Sequence, residues 1–192
     1  MKRDAEYYRT KYAGRENVKK LIILRHIADS DAILEFWEKD TASHWQKFFD
    51  CAAIVGRNGM GKEREGDEKT PLGDFGLICA FGIKPDPGAR LPYVQITEDI
   101  WCCGDGMAYN RIIDIKKQPH KCKGEKMADY YPEYNYGIFP DYNAEGKARL
   151  GFAIFLHCRG EKNYTGGCIA VDEEHMIKLL CAADKNTRLC IL

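Results

Sequence analysis

Two side chains toward the C-terminal end of this 192-residue chain, His157 and Cys168, have the types and setting for nucleophilic catalysis. A cysteine attacks as its thiolate, and a neighbouring imidazole can take the thiol proton or hold the resulting ion pair. Thr165-Gly166-Gly167 leads directly into Cys168. Glycines allow close backbone approach and positive φ, so this turn can aim backbone N–H groups at a developing oxyanion. Cysteine is also among the most buried residue types, and taken alone each of these residues reads as an ordinary core side chain. The pairing, the glycines and the strand-loop-strand setting carry the catalytic reading.

The elements that must position this pair are short and mostly extended. The apolar run Gly151–Leu156 reads as a buried strand with His157 at its end, and Ile169-Ala170-Val171 restarts apolar after Cys168. Upstream, Val18–Ile27 and Ala32–Glu38 flank a turn and read as a hairpin. Cys51–Gly56, Gly73–Phe81, Tyr93–Ile96 and Arg188–Leu192 read as further strands. Asp172 is a plausible N-cap, with acidic Glu173 and Glu174 in the first turn and apolar Met176, Ile177, Leu179, Leu180 and Ala183 behind, so a helix is expected over Asp172–Lys185. Short strands separated by turn signals predict a mainly β domain over 18–192, not alternating βαβ units. Residues 1–17 are charged and tyrosine-rich without a clear period, and are expected to form a flexible N-terminal arm with at most a short helix.

Lysine plus arginine equals aspartate plus glutamate at 29 each, so charge points to neither a nucleic-acid nor a membrane partner. No apolar run reaches the roughly eighteen residues of a membrane helix, and the polar start lacks the apolar core of a signal peptide. The nine cysteines are odd in number, and Cys51, Cys79 and Cys190 sit inside apolar runs. Mostly free thiols are therefore expected rather than a disulfide framework.

Other stretches invite and then resist specific chemistry. Arg57–Gly73 is a long glycine-rich loop, but Glu63 follows Gly61-Lys62 where a phosphate-binding loop needs Ser or Thr, so nucleotide binding is discounted. A loop of this length either lies on the surface or borders the site. Cys102, Cys103, His120 and Cys122 suggest a zinc site only weakly. Adjacent cysteines do not easily face one tetrahedral metal, no Cys-x-x-Cys occurs, and no metal is assigned. Lys116–Lys126 is basic and is expected to be a solvated loop. The tyrosine-rich Ala128–Asp141 could line a site or simply pack.

Four blocks in order resemble the L,D-transpeptidases of the YkuD type: Gly66-Asp67-Glu68-Lys69-Thr70-Pro71-Leu72-Gly73-Asp74-Phe75, then Tyr109-Asn110, then Ile154-Phe155-Leu156-His157, then Gly166-Gly167-Cys168-Ile169-Ala170-Val171. The resemblance spans most of Leu21–Leu192. It implies a β-sandwich or capped, barrel-like β fold with a few short helices. It also implies acyl transfer on peptidoglycan stem peptides without a cofactor: a Cys thiolate displaces a terminal D-Ala, and an amine of a second stem takes the acyl group to give a 3-3 cross-link. On this chain Cys168 would be the nucleophile, His157 its base, Gly167 and Cys168 N–H the oxyanion hole, and Thr165 and Gly166 the loop-shaping residues. Tyr109, Asn110, Thr70 and Tyr136 would contact substrate.

The chain departs from the common pattern. Gly166 stands where many members have histidine, Ala170 where many have arginine, and the His157–Cys168 spacing is short, as in a divergent Gly-Cys-Ile-Ala variant. These departures bear on substrate more than on chemistry. The catalytic reading predicts Cys168 as the one thiol of unusually low pKa. The alternatives are an L,D-carboxypeptidase, in which water takes the same acyl-enzyme, a non-catalytic wall-binding module, and a cytoplasmic metal- or redox-responsive protein. The family's substrate places the domain outside the membrane, in the cell wall or periplasm, on the expectation that an export segment precedes this sequence; a cytoplasmic location is the alternative. A monomer is expected.

Overall fold

The computed structural model describes residues 4–119 and 121–192. The chain is mainly β, with strands β1 (Lys20–Ala28), β2 (Asp31–Lys39), β3 (Trp45–Ile54), β4 (Gly73–Phe75), β5 (Leu77–Gly82), β6 (Tyr93–Gln95), β7 (Ile100–Cys103), β8 (Arg111–Asp114), β9 (Glu125–Lys126), β10 (Gly137–Pro140), β11 (Leu156–Cys158), β12 (Ile169–Val171) and β13 (Thr187–Ile191). Helix α1 spans Ala5–Tyr12 and α2 spans Glu173–Ala182. The larger sheet has ten strands in the order β4-β13-β1-β2-β3-β12-β11-β10-β5-β6. β4 and β5 are separated only by Gly76, yet they lie toward opposite ends of that order. The sheet must therefore roll until its ends approach, as strand twist favours.

Apolar side chains fill the roll. Ile22, Leu24, Leu34 and Phe36 from the first hairpin meet Ile138, Leu156, Ile169 and Val171. Met176, Leu179 and Leu180 of α2 close the cluster, the face that helical spacing predicts for this segment. A second cluster, built on Phe81, Phe139, Phe155, Met127 and Tyr134, joins the roll to a three-stranded sheet ordered β8-β7-β9. Through Glu125 of β9 this sheet contributes to the wall of the site.

Three expectations change. The 1–17 arm is in large part α1, whose Tyr8 and Tyr12 are buried against β1 and β13. Its anchor is Asp74, which Lys11, Tyr12 and Arg188 all approach. Met1–Arg3 lie outside the described residues. The strand expected from Gly151 begins only at Leu156, because Arg149, Gly151 and Ala153 all take positive φ and break the extended chain. The basic run 116–126 is not wholly a solvated loop, since its end becomes β9 and pairs with β7. All nine cysteines are free thiols, as expected.

Candidate active site

β11 and β12 are parallel neighbours, with His157 opposite Ala170. Alternation along β12 puts Cys168 on the same side as Ala170, and therefore on the side of His157. Both line one cavity of about 470 Å³. The glycine-rich loop borders it through Arg57, Lys62, Glu65 and Glu68, and the opposite wall carries Glu125, Tyr130 and Tyr134.

The turn before Cys168 is held from several directions. Thr165 Oγ1 donates to the Cys168 carbonyl at 2.7 Å and accepts from the Gly167 N–H at 3.1 Å. Thr70, fully buried, donates to the same carbonyl at 3.2 Å and accepts from the Gly56 N–H at 2.9 Å. Gly167 has φ +133°, and a Cβ there would meet the Lys69 carbonyl oxygen at 2.8 Å, so this position requires glycine. Gly166 has open space around it and no positive φ. The two glycines thus play different parts.

The Cys168 thiol donates to the Ala153 carbonyl at 3.0 Å, and its sulfur accepts from the Phe155 N–H at 3.3 Å. Burial, followed by the Glu125 carboxyl, pushes this thiol up to about 12; the Phe155 N–H and the Lys62 ammonium oppose the rise. This runs against the expectation of a low-pKa thiol, because loss of solvent around the sulfur disfavours the thiolate more than its donors stabilise it. Burial also lowers His157, against a 2.7 Å bond from Nδ1 to the Cys158 carbonyl and the pull of Glu133. That bond fixes the ring with Nδ1 as the protonated nitrogen, leaving Nε2 to act as a base.

Four residues expected to touch substrate do not line the cavity. Thr70 is internal and props the nucleophile turn. The Tyr109 hydroxyl donates to Glu65 at 2.6 Å and accepts from the Gly151 N–H at 3.1 Å. Asn110 donates to the carbonyls of Tyr142 and Asn143 and accepts from the Ala153 N–H at 3.0 Å. Tyr109 and Asn110 therefore set the 142–153 segment, including the Ala153 carbonyl that receives the thiol. Tyr136 packs into the core under α2. The Gly167 N–H, expected as an oxyanion donor, is taken by Thr165. Cys102 and Cys103 alternate along β7 to opposite sides: Cys102 faces the apolar cluster behind the cavity, whereas Cys103, Asp105 and Cys122 bring ligand-type atoms within 4.8 Å of one another. His120, the fourth residue of the weak zinc reading, lies outside the described residues.

Sequence reasoning singles out neither Glu125 nor Lys62 for the site, whereas Tyr134 belongs to the tyrosine-rich segment for which a site-lining role is open, and it lines the cavity. Lys62 is bonded to Asp67 at 2.8 Å, with both side chains almost wholly buried. Burial pushes the Asp67 carboxyl up, but Lys62 and the N–H groups of Arg64, Glu63 and Lys69 outweigh it and hold it well below the usual carboxylate range. Glu125 has a different environment. Burial raises it to about 7, and only the Tyr134 hydroxyl, at 2.6 Å, pulls it back.

A rolled β-sheet that sets a thiol and an imidazole on one face, lining one cleft, defines a β domain with a cysteine–histidine site. The YkuD family model, the L,D-transpeptidase catalytic domain, matches residues 25–191, and the chain belongs to that family. No curated protein matches the chain.

Proposed function

We propose that this chain is a cysteine-dependent acyltransferase acting on peptidoglycan stem peptides, with Cys168 as nucleophile and His157 as base. The observation that carries this reading is the shared cavity. One thiol, just before β12, and one oriented imidazole, on the adjacent β11, line it from the same side, and among the described residues the Cys168 N–H has no partner in the hydrogen bonds of the turn. His157 Nε2 takes the thiol proton as sulfur attacks the carbonyl before the terminal D-residue. The Cys168 N–H then faces the developing oxyanion. Imidazolium returns the proton to the leaving amine, leaving a thioester, which an acceptor amine resolves into a cross-link. Because burial pushes the resting thiol up, His157 has to take its proton as the sulfur attacks.

Among the described residues no helix is long and apolar enough to cross a membrane. On this reading the substrate class puts the working domain in the cell wall or periplasm.

The test is intact-protein mass spectrometry after incubation with a carbapenem. Wild type gains one adduct and Cys168→Ala gains none, while His157→Ala slows adduct formation by about 100-fold or more at neutral pH. Release of D-Ala from a tetrapeptide stem follows the same order. An adduct that persists in Cys168→Ala would remove the thiol from its role.

A further inference from the structure

Glu125 stands in the cavity wall for a local reason. β9 pairs with β7 so that Glu125 lies opposite Cys102. A side chain at the preceding Gly124 would run into the Cys102 carbonyl oxygen, so only glycine lets the strands close here. That approach delivers the next side chain into the cleft that holds Cys168. Tyr134 fixes it through its hydroxyl at 2.6 Å, and the Tyr130 ring stacks on Tyr134 with centroids 4.8 Å apart. The groups facing this carboxyl are Cys102 from β7, Tyr130 and Tyr134 from the tyrosine-rich segment, and Cys168 at the start of β12. Among the described residues no Lys, Arg or His pairs with it. The adjacent Lys126 turns away to Glu98 and Asp129.

A carboxyl buried without a cation is costly, and it works against the first half of the reaction because its charge opposes the Cys168 thiolate. That penalty vanishes once Cys168 is esterified, since a thioester carries no charge. A cation arriving at this stage restores the ionised carboxylate at no cost to sulfur. The exposed ring of Tyr130 favours the same guest.

We propose that Glu125 and the Tyr134 hydroxyl form an ammonium-binding subsite beside Cys168, which receives the primary amine of the acyl acceptor and takes a proton from it. The inference rests on the acyl-transfer reading above and adds the acceptor's place in it. The step balances. The acceptor R–NH3+ gives one proton to the Glu125 carboxylate, the neutral amine attacks the thioester carbonyl, the C–N bond forms and the C–S bond breaks. The amine's second proton passes through His157 to the departing sulfur, and the third remains on the amide. Water carries no such charge, so hydrolysis does not depend on Glu125.

The experiment compares wild type with Glu125→Gln, which keeps an acceptor for the Tyr134 hydroxyl. Acylation of Cys168 by a carbapenem is timed by mass spectrometry. The partition of a tetrapeptide-derived acyl-enzyme is then measured between water and Nα-acetyl-lysine amide, and between water and hydroxylamine. The expected result is acylation at least as fast as wild type, an aminolysis-to-hydrolysis ratio at least about tenfold lower with the lysine amide, and an unchanged ratio with hydroxylamine, which is already neutral at pH 7. Tyr134→Phe serves as a second variant. It removes the bond that lowers Glu125, so the acid limb of its aminolysis profile moves to higher pH. Equal losses with both nucleophiles, or no change in partition, would overturn the subsite. Failure of wild-type Cys168 to acylate would instead overturn the acyl-transfer reading, and the subsite with it.

Discussion

The two walls of the cleft bury charge in opposite ways. On the glycine-rich-loop side, Lys62 and Asp67 form an enclosed ion pair in which the carboxylate also accepts three backbone N–H groups. On the three-stranded-sheet side, Glu125 has one phenol and no cation. The first arrangement is complete without a substrate and fixes a loop. The second is incomplete in the folded state. Incomplete polar groups inside a protein cost stability and persist where they serve chemistry. The contrast therefore separates scaffold from working surface more sharply than proximity to Cys168 does, since both walls line the same cavity.

The sharpest way to break the comparison is to remove one partner from each wall. Lys62→Met should destabilise the fold by about 3–5 kcal/mol in urea denaturation, because it strands Asp67 as a buried unpaired charge. A midpoint unchanged by this substitution would show that the pair is not structural. Thr70→Val tests the prop beneath the nucleophile turn. It leaves the buried Gly56 N–H without its acceptor and should cost about 1–3 kcal/mol, with slower Cys168 acylation from the loosened turn.

The effect of opposite sign belongs to Glu125→Gln. A carboxyl raised in the fold from its ordinary value to about 7 holds a proton that the unfolded chain has already released. Wild-type stability should therefore fall as pH rises through this window, and should be independent of this group below it. Glu125→Gln removes the slope, leaving the variant equal to wild type at pH 4 and more stable by on the order of 2 kcal/mol at pH 8. Asp67 has the reverse sign: its contribution is present above the ordinary carboxylate range and is lost only as pH falls through its depressed folded value. Denaturation midpoints at a series of pH values would separate the two, and a flat difference between wild type and Glu125→Gln would contradict the account of the unpaired wall.

Much of the frame is legible in the chain. The hairpin of β1 and β2, the β12–α2 passage and β13 follow from apolar alternation, an acidic first helical turn and short extended runs. The Thr165–Cys168 turn is legible because glycine and threonine have few other reasons to stand there, and Gly167 does meet the positive φ expected of it. The lining of the cavity was not legible. Tyr109, Asn110, Thr70 and Tyr136 are polar residues near conspicuous motifs, and sequence does not distinguish a polar side chain that faces a cleft from one that bonds to backbone behind it. α1 was hidden because its two buried tyrosines find their partners on β1, β13 and Asp74, all distant in the chain.

The sequence by itself determined the mainly β class, the family, and the candidate pair His157 and Cys168, because these rest on local periodicity and on residue types at fixed spacing. Only the tertiary structure decided what surrounds that pair. The rolled sheet sets Cys168 half-buried in the cleft, where burial pushes its thiol up, and the β7–β9 pairing turns Glu125, one acid at the end of a lysine-rich run, into a wall of the cleft. Burial and charge pairing are properties of residues far apart in the chain, and no local pattern encodes the distance between them.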